Sequence, residues 1–258
     1  MAEVEYSVDR YAARVTINRP DRRNAMSADV MRQLRDAVAA SKADDGVRVL
    51  ILTGAGDQAF CAGADLGSLA DNTGAIAAHD GRGELARLFR DLWSLGKPTI
   101  ARVRGFALAG GFGLAMACDL VVAADDAVFG TPEINVGLWP FMITVPILRV
   151  LSPRIALELM ATGRRLDAAE ALRLGLVNRV VPVGELDSAV DELAETLAAK
   201  SPVAMRLGRD SFYRSLDMRA DDALDYLQSM LTIMTLSEDT AEGIAAFAEK
   251  RAPNWRNR

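Results

Sequence analysis

The chain holds only two cysteines, Cys61 and Cys118, and a single histidine, His79. The two thiols form neither a Cys-x-x-Cys pair nor a zinc-like spacing, which excludes a disulfide framework and a structural zinc site and fits a reducing cytoplasm. Long hydrophobic runs are missing too. The apolar stretches around 106–117 and 120–124 are too short and too interrupted to span a bilayer, so no membrane partner is expected. The opening residues, Met1-Ala2-Glu3-Val4-Glu5-Tyr6, carry acids where a secretory signal needs basic residues ahead of an apolar stretch. A basic stripe is absent: the net charge is −5 and Lys and Arg are scattered, which argues against nucleic acid as a partner. The pair Arg22-Arg23 stays open as an anion contact. Aromatic residues are scarce at 6%.

What remains is ordinary globular material. Of 258 residues, half are hydrophobic and a quarter charged, which excludes disorder and fibrous classes and gives enough chain for one large α/β domain or a core with an appendage.

Along the chain, Val4 to Val8 and Ala13 to Ile17 read as a hairpin-like pair of strands ended by Arg19-Pro20-Asp21. Ser27 caps a helix whose Val30, Met31, Leu34, Ala37 and Val38 share one face, and Val47 to Leu52 reads as a buried strand. The order then repeats with a helix over Glu84 to Leu95, a strand over Thr99 to Val103 and another over Leu120 to Ala124. Strands alternating with helices predict a largely parallel α/β sheet. No exact internal repeat is present. From Ser152-Pro153 onward helix follows helix, with a capping box at Asp167-Ala168-Ala169-Glu170 and a stop at Gly175.

Three segments carry chemistry. Ala59-Phe60-Cys61-Ala62-Gly63-Ala64-Asp65-Leu66 follows a buried strand, and its small residues let a ligand approach backbone NH groups. Gly105 to Leu114 contains Ala109-Gly110-Gly111-Phe112-Gly113 at a helix start, where free NH groups favour developing negative charge. It matches neither the Gly-x-Gly-x-x-Gly nor the Gly-Lys-Ser/Thr nucleotide motif. Phe129-Gly130-Thr131-Pro132-Glu133-Ile134 sets a carboxylate among apolar residues, where burial raises its pKa and suits it to carry a proton. Each segment alone also reads blandly, as a tight loop, a helix start or a capping glutamate.

Taken in order, these segments resemble the crotonase (enoyl-CoA hydratase/isomerase) superfamily over essentially the whole chain, as do Thr162 to Ala171 and Gly175-Leu176-Val177-Asn178. The resemblance implies a spiral core of repeated ββα units over residues 1–195 and a helical region over 196–258 that builds trimers or dimers of trimers, hence a homotrimer or homohexamer. It implies an acyl-CoA thioester as substrate, with CoA part of the substrate, no further cofactor and no metal, and a role in fatty-acid or related acyl-CoA metabolism. The NH groups of Ala64 and Gly110 would hold the thioester oxygen, and Glu133 would be the catalytic acid/base. Arg23, Ala25, Ala62, Asp65, Leu66, Gly111, Phe247 and Lys250 would meet the substrate, chiefly its CoA portion, and Trp139 with Pro140-Phe141-Met142 reads equally as a wall for the acyl chain or as simple core packing.

One departure from the family pattern stands out. The usual first glutamate, three residues beyond the oxyanion glycine, is Gly113 here, whereas the second is kept as Glu133. A single carboxylate suits a proton moved between the alpha and gamma carbons through a dienolate, which is isomerisation of a 3-enoyl ester. Hydration would need Glu133 to serve twice or another group to help. Thioester hydrolysis, dehalogenation, decarboxylation and a non-catalytic acyl-CoA-binding role stand as further alternatives. His79, surrounded by Asp80, Arg82 and Glu84 within a lid-like stretch over 71–83, reads as solvent-exposed. Asp119 reads as a hydrogen-bonding residue at a helix end or strand start.

Overall fold

The computed structural model describes residues 2–65 and 75–258. Strands β1 (Val4–Asp9) and β2 (Ala12–Ile17) form the expected antiparallel pair, with Val4 opposite Ile17. Ala13, Val15 and Ile17 alternate inward, so β2 has one face in the core, while β1 keeps only Val4 buried and serves as the sheet edge. Helix α1 (Ala28–Ala43) starts at Ser27, whose side chain accepts from the Val30 NH at 3.2 Å, and it buries Val30, Leu34, Ala37 and Val38.

From here a unit of two strands and a helix repeats. The first consists of β3 (Val49–Gly54), β4 (Ala59–Cys61) and α2 (Ala75–Trp93). The next is β5 (Thr99–Val103), β6 (Phe106–Leu108) and α3 (Gly110–Ala117), followed by β7 (Leu120–Ala124) and β8 (Val128–Gly130). The first strand of each unit joins a six-stranded sheet ordered β1-β2-β3-β5-β7-β10, and the second joins a four-stranded sheet ordered β4-β6-β8-β9. Strands β9 (Arg165–Asp167) and β10 (Arg179–Val181) complete the sheets. The result is the spiral of ββα units, with parallel pairing from β2 through β10 and an apolar β3 buried almost throughout. The repeat lies in topology rather than in residues.

The expected helix over 84–95 begins earlier, at Ala75, so the described part of the lid-like stretch is helical. Gly81 and Gly83 disguise that start, because glycine weakens a helical pattern. His79 is exposed, as read from its neighbours.

After β8 come α4 (Thr144–Leu148), α5 (Pro153–Thr162) and α6 (Ala168–Arg173), the last capped by Asp167 accepting from the Glu170 NH at 2.7 Å. Helix α7 (Leu186–Ala198) lays Leu186, Val190 and Ala194 on Val49, Ile51, Ile100 and Val122 of the six-stranded sheet, so residue 195 falls inside a helix packed on the core. Helices α8 (Pro202–Ser215), α9 (Ala220–Thr235) and α10 (Glu238–Glu249) follow. Buried Arg209 fastens α8 to the core, donating to Asp119 Oδ2 at 2.7 Å and to the carbonyls of Trp93 and Leu92 at 2.9 and 2.7 Å. Asp119 also accepts from the Thr99 NH and the Tyr213 hydroxyl, which makes it a structural joint where α3 meets β7.

Candidate active site

The two small-residue loops meet because nothing larger would fit. A Cβ on Gly63 would lie 2.6 Å from the Ala109 Cβ and 3.2 Å from the Gly110 nitrogen, and one on Gly111 would lie 2.1 Å from the Cys61 carbonyl oxygen. Helix α3 is thereby pressed end-on against β4. The Ala64 nitrogen lies 3.6 Å from where a Gly110 Cβ would stand, so the NH groups of Ala64 and Gly110 are neighbours. Neither donates a backbone hydrogen bond among the described residues, and Gly110 occupies the first turn of α3, where NH groups have no partner within the helix.

Holding the Ala64 loop are its neighbours in the 19–26 turn. Met26 donates to the Gly63 carbonyl at 2.8 Å and accepts from the Asp65 NH at 2.9 Å. Arg19 binds Asp65 at 3.1 Å and the Ala25 carbonyl at 2.7 Å. Asn24, wholly buried and in the left-handed region at φ 56°, accepts from the Arg19 NH and donates to the carbonyls of Ala55 and Ala59. Asn tolerates that conformation, and Arg23 before it is left-handed as well, at φ 51°.

A cavity of about 770 Å³ opens beside the two NH groups, lined on one side by Arg22, Ala25, Ala62, Ala64, Asp65 and Gly110. Its other wall comes from one run of chain, Pro132 to Ile143, which supplies Glu133 and Trp139. Glu133 sits in a 3-10 turn spanning Pro132–Val136. Its Oε2 is buried with no hydrogen-bond partner among the described residues. Burial pushes this carboxyl above the ordinary carboxylate range, with only its own backbone NH pulling the other way. Such a group keeps its proton to higher pH than an exposed glutamate does, which suits it to take a proton and return it.

Gly113 lies on α3 one turn beyond Gly110, and its place is occupied from outside: a Cβ there would stand 2.2 Å from Ile143 Cγ2 and 2.5 Å from Ile143 Cβ. Buried Ile143, a cavity-lining residue, fills the room a side chain at 113 would need. Sequence reading missed Ile143, since an apolar residue thirty positions away carries no signal of that contact.

Ala25, Ala62, Ala64, Asp65, Gly110, Glu133 and Trp139 thus converge on one cavity. Gly111 lies just behind it against Cys61. Arg23 is directed away, its guanidinium 6.0 Å from the Phe106 ring, and lines a separate depression with Asn24 and Gln58. Phe247, 87% exposed, and Lys250 sit at the end of α10 and do not line the cavity within this chain. Leu66 lies outside the described residues.

Known proteins give this geometry a family. The enoyl-CoA hydratase/isomerase model matches residues 9–258. Crotonyl-CoA hydratase of Syntrophomonas wolfei is 38% identical over 240 residues, covering 93% of this chain and 92% of that protein. Carnitinyl-CoA dehydratase of Escherichia coli K12 is 38% identical over 251 residues, with 95% and 94% covered. Among solved structures, an enoyl-CoA hydratase of Mycobacterium smegmatis superimposes with a TM-score of 0.94 at 32% identity, covering 98% of both chains. The chain is therefore an enzyme of the enoyl-CoA hydratase/isomerase family, with the crotonase fold. None of the helices among the described residues is long and apolar enough to cross a membrane.

Proposed function

We propose that the enzyme isomerises a 3-enoyl-CoA to its 2-enoyl conjugate. The thioester oxygen sits between the NH groups of Ala64 and Gly110. These donors stabilise the charge that develops when the alpha proton leaves, an effect commonly worth about 3–4 kcal/mol of barrier per donor. Glu133 takes that proton from the alpha carbon. The resulting dienolate spreads its charge from the oxygen to the gamma carbon, and the protonated Glu133 returns the proton there. The double bond moves from C3–C4 to C2–C3, and the carboxylate is regenerated without loss or gain of atoms.

The observation that carries this reading is Gly113 backed by Ile143. Adding water across a double bond asks for one group to activate the water and another to protonate the alpha carbon. The position where a second carboxylate would stand is closed by an apolar side chain, and such a wall disfavours a held water. A second reading, hydration of a 2-enoyl-CoA, is favoured by the names of the relatives, several of which are hydratases. Arg22 and Arg82 at the cavity offer positive charge to the phosphates of CoA. In keeping with the family, CoA would enter as part of the substrate, with no separate cofactor, and the chain would work as a trimer or hexamer.

The test is product analysis by mass spectrometry and NMR, with purified protein given a 3-enoyl-CoA and, separately, crotonyl-CoA. Conversion of the 3-enoyl ester without change of mass is expected, and crotonyl-CoA should remain largely unhydrated. Rapid gain of one water by crotonyl-CoA would replace the isomerase reading with the hydratase one.

A further inference from the structure

The run of chain that follows Glu133 forms an apolar wall whose exposure core packing does not explain. Val136, Leu138, Phe141 and Met142 all line the cavity, and they stand well clear of the protein interior, Val136 being 62% and Phe141 76% exposed. Single exposed apolar residues are ordinary, but a contiguous group rimming a cavity marks a surface that something covers. The backbone holds this wall in place. Gly137, at φ 74°, reverses the chain, and Leu138 donates to the Glu133 carbonyl at 3.0 Å. Phe141 donates to the Trp139 carbonyl at 2.8 Å, and the Thr144 hydroxyl donates to the Pro140 carbonyl at 2.8 Å. From Val136 to Ile143 the wall contains no charged residue.

The cavity, about 770 Å³, is shared: Arg22, Ala25 and Ala62 line the side proposed for CoA, and Val136 to Met142 line the side left to the acyl chain. A four-carbon acyl group reacting at Glu133 would leave most of the wall in water. We propose that the enzyme favours acyl-CoA esters with chains longer than four carbons, their methylenes laid along Val136, Leu138, Phe141 and Met142. This rests on the acyl-CoA reading of the site, but not on which proton transfer follows. The occupant is the acyl chain because the wall is continuous with the carboxylate that must reach it.

Isothermal titration of the full-length protein with butyryl-, octanoyl- and dodecanoyl-CoA tests the proposal. These saturated esters report binding without turnover, so the outcome is independent of the isomerase reading. Each methylene fully buried strengthens binding about fourfold at most, and incomplete burial reduces this. Octanoyl-CoA should bind at least about tenfold more tightly than butyryl-CoA. The double variant Phe141→Ser with Met142→Ser, which leaves Val136 and Leu138 in place, should shrink that ratio at least about threefold while weakening butyryl-CoA much less. Equal affinity for all three esters, or equal weakening of all three in the variant, overturns the proposal. So does a variant that keeps the octanoyl preference in full; a change of its mass in sedimentation would then identify a second copy of the chain as what covers the wall.

Discussion

Two helical glycines should respond in opposite ways to the same substitution. In α3, a methyl group added at Gly113 would arrive 2.2 Å from Ile143 Cγ2, well inside van der Waals contact. In α8, Gly208 has nothing within 4 Å of the corresponding position. Gly→Ala inside a helix gains about 1 kcal/mol from backbone entropy, and Gly208→Ala should deliver that gain. Gly113→Ala receives the same term but must also overpack a closed site, which costs about 1–3 kcal/mol, so its net effect should lie between neutral and about 2 kcal/mol of loss. At roughly 2–4 °C per kcal/mol for a chain of this size, the two variants should melt several degrees apart. Ile143→Gly, which also removes the Cβ that would stand 2.5 Å from the new methyl, deletes a buried side chain and should cost about 3–5 kcal/mol. In that background Gly113→Ala should turn stabilising, because its methyl enters the space Ile143 vacated; the coupling should exceed about 1 kcal/mol. Urea denaturation of the four proteins measures the cycle. If Gly113→Ala stabilises the otherwise unchanged protein as much as Gly208→Ala does, the two residues do not compete for space. The structural argument against a second carboxylate then fails.

Further predictions rest on other joints. Gly113→Glu alone should not bring hydratase activity, whereas Gly113→Glu with Ile143→Gly removes both atoms that would stand within 3 Å of the new Cβ; crotonyl-CoA hydration assays compare them. Ala109 adopts φ 51°, ψ −128°, a conformation suited to glycine; Ala109→Gly should raise the melting temperature slightly, relieving strain of about 1–3 kcal/mol less the entropy cost of glycine. Arg209→Ala leaves Asp119 and two carbonyls without their partner and should destabilise by about 3–5 kcal/mol in urea titration. Because the folded pKa of Glu133 is raised, the folded chain keeps this proton where the unfolded chain has released it. The stability of the unsubstituted protein relative to Glu133→Gln should therefore be greatest below the unfolded carboxylate pKa, near about 4.3, and decline as pH rises toward the folded value. Turnover, which begins from the ionised form, should rise over the upper part of the same window.

Sequence patterns exposed the elements whose signals are local. The alternation in β2, the one-sided apolar face of α1 and the apolar run Val49 to Leu52 of β3 each record how many faces of an element are buried. The three-residue strands β4, β6, β8 and β9 are too short to show a period, so the second sheet was hidden. Glu133 was legible because a carboxylate among apolar residues is rare, and the small-residue loops because their composition suits close approach of backbone. Ile143 and the Arg209–Asp119 joint depend on contacts between residues far apart in the chain, and no window of sequence contains them. Trp139 to Met142 stood equally for core packing and substrate contact in the sequence, and the structure divides them: Trp139 packs against the core and Pro140 is buried, whereas Phe141 and Met142 are exposed at the cavity.

The account turns on Glu133 being the group that carries the proton. The most direct test is the steady-state rate of Glu133→Gln on a 3-enoyl-CoA, measured beside its affinity for octanoyl-CoA. Glutamine keeps the shape and cannot take the proton, so kcat should fall by a factor of about 10²–10⁴ while binding changes little. A rate near that of the unsubstituted protein would contradict the account outright.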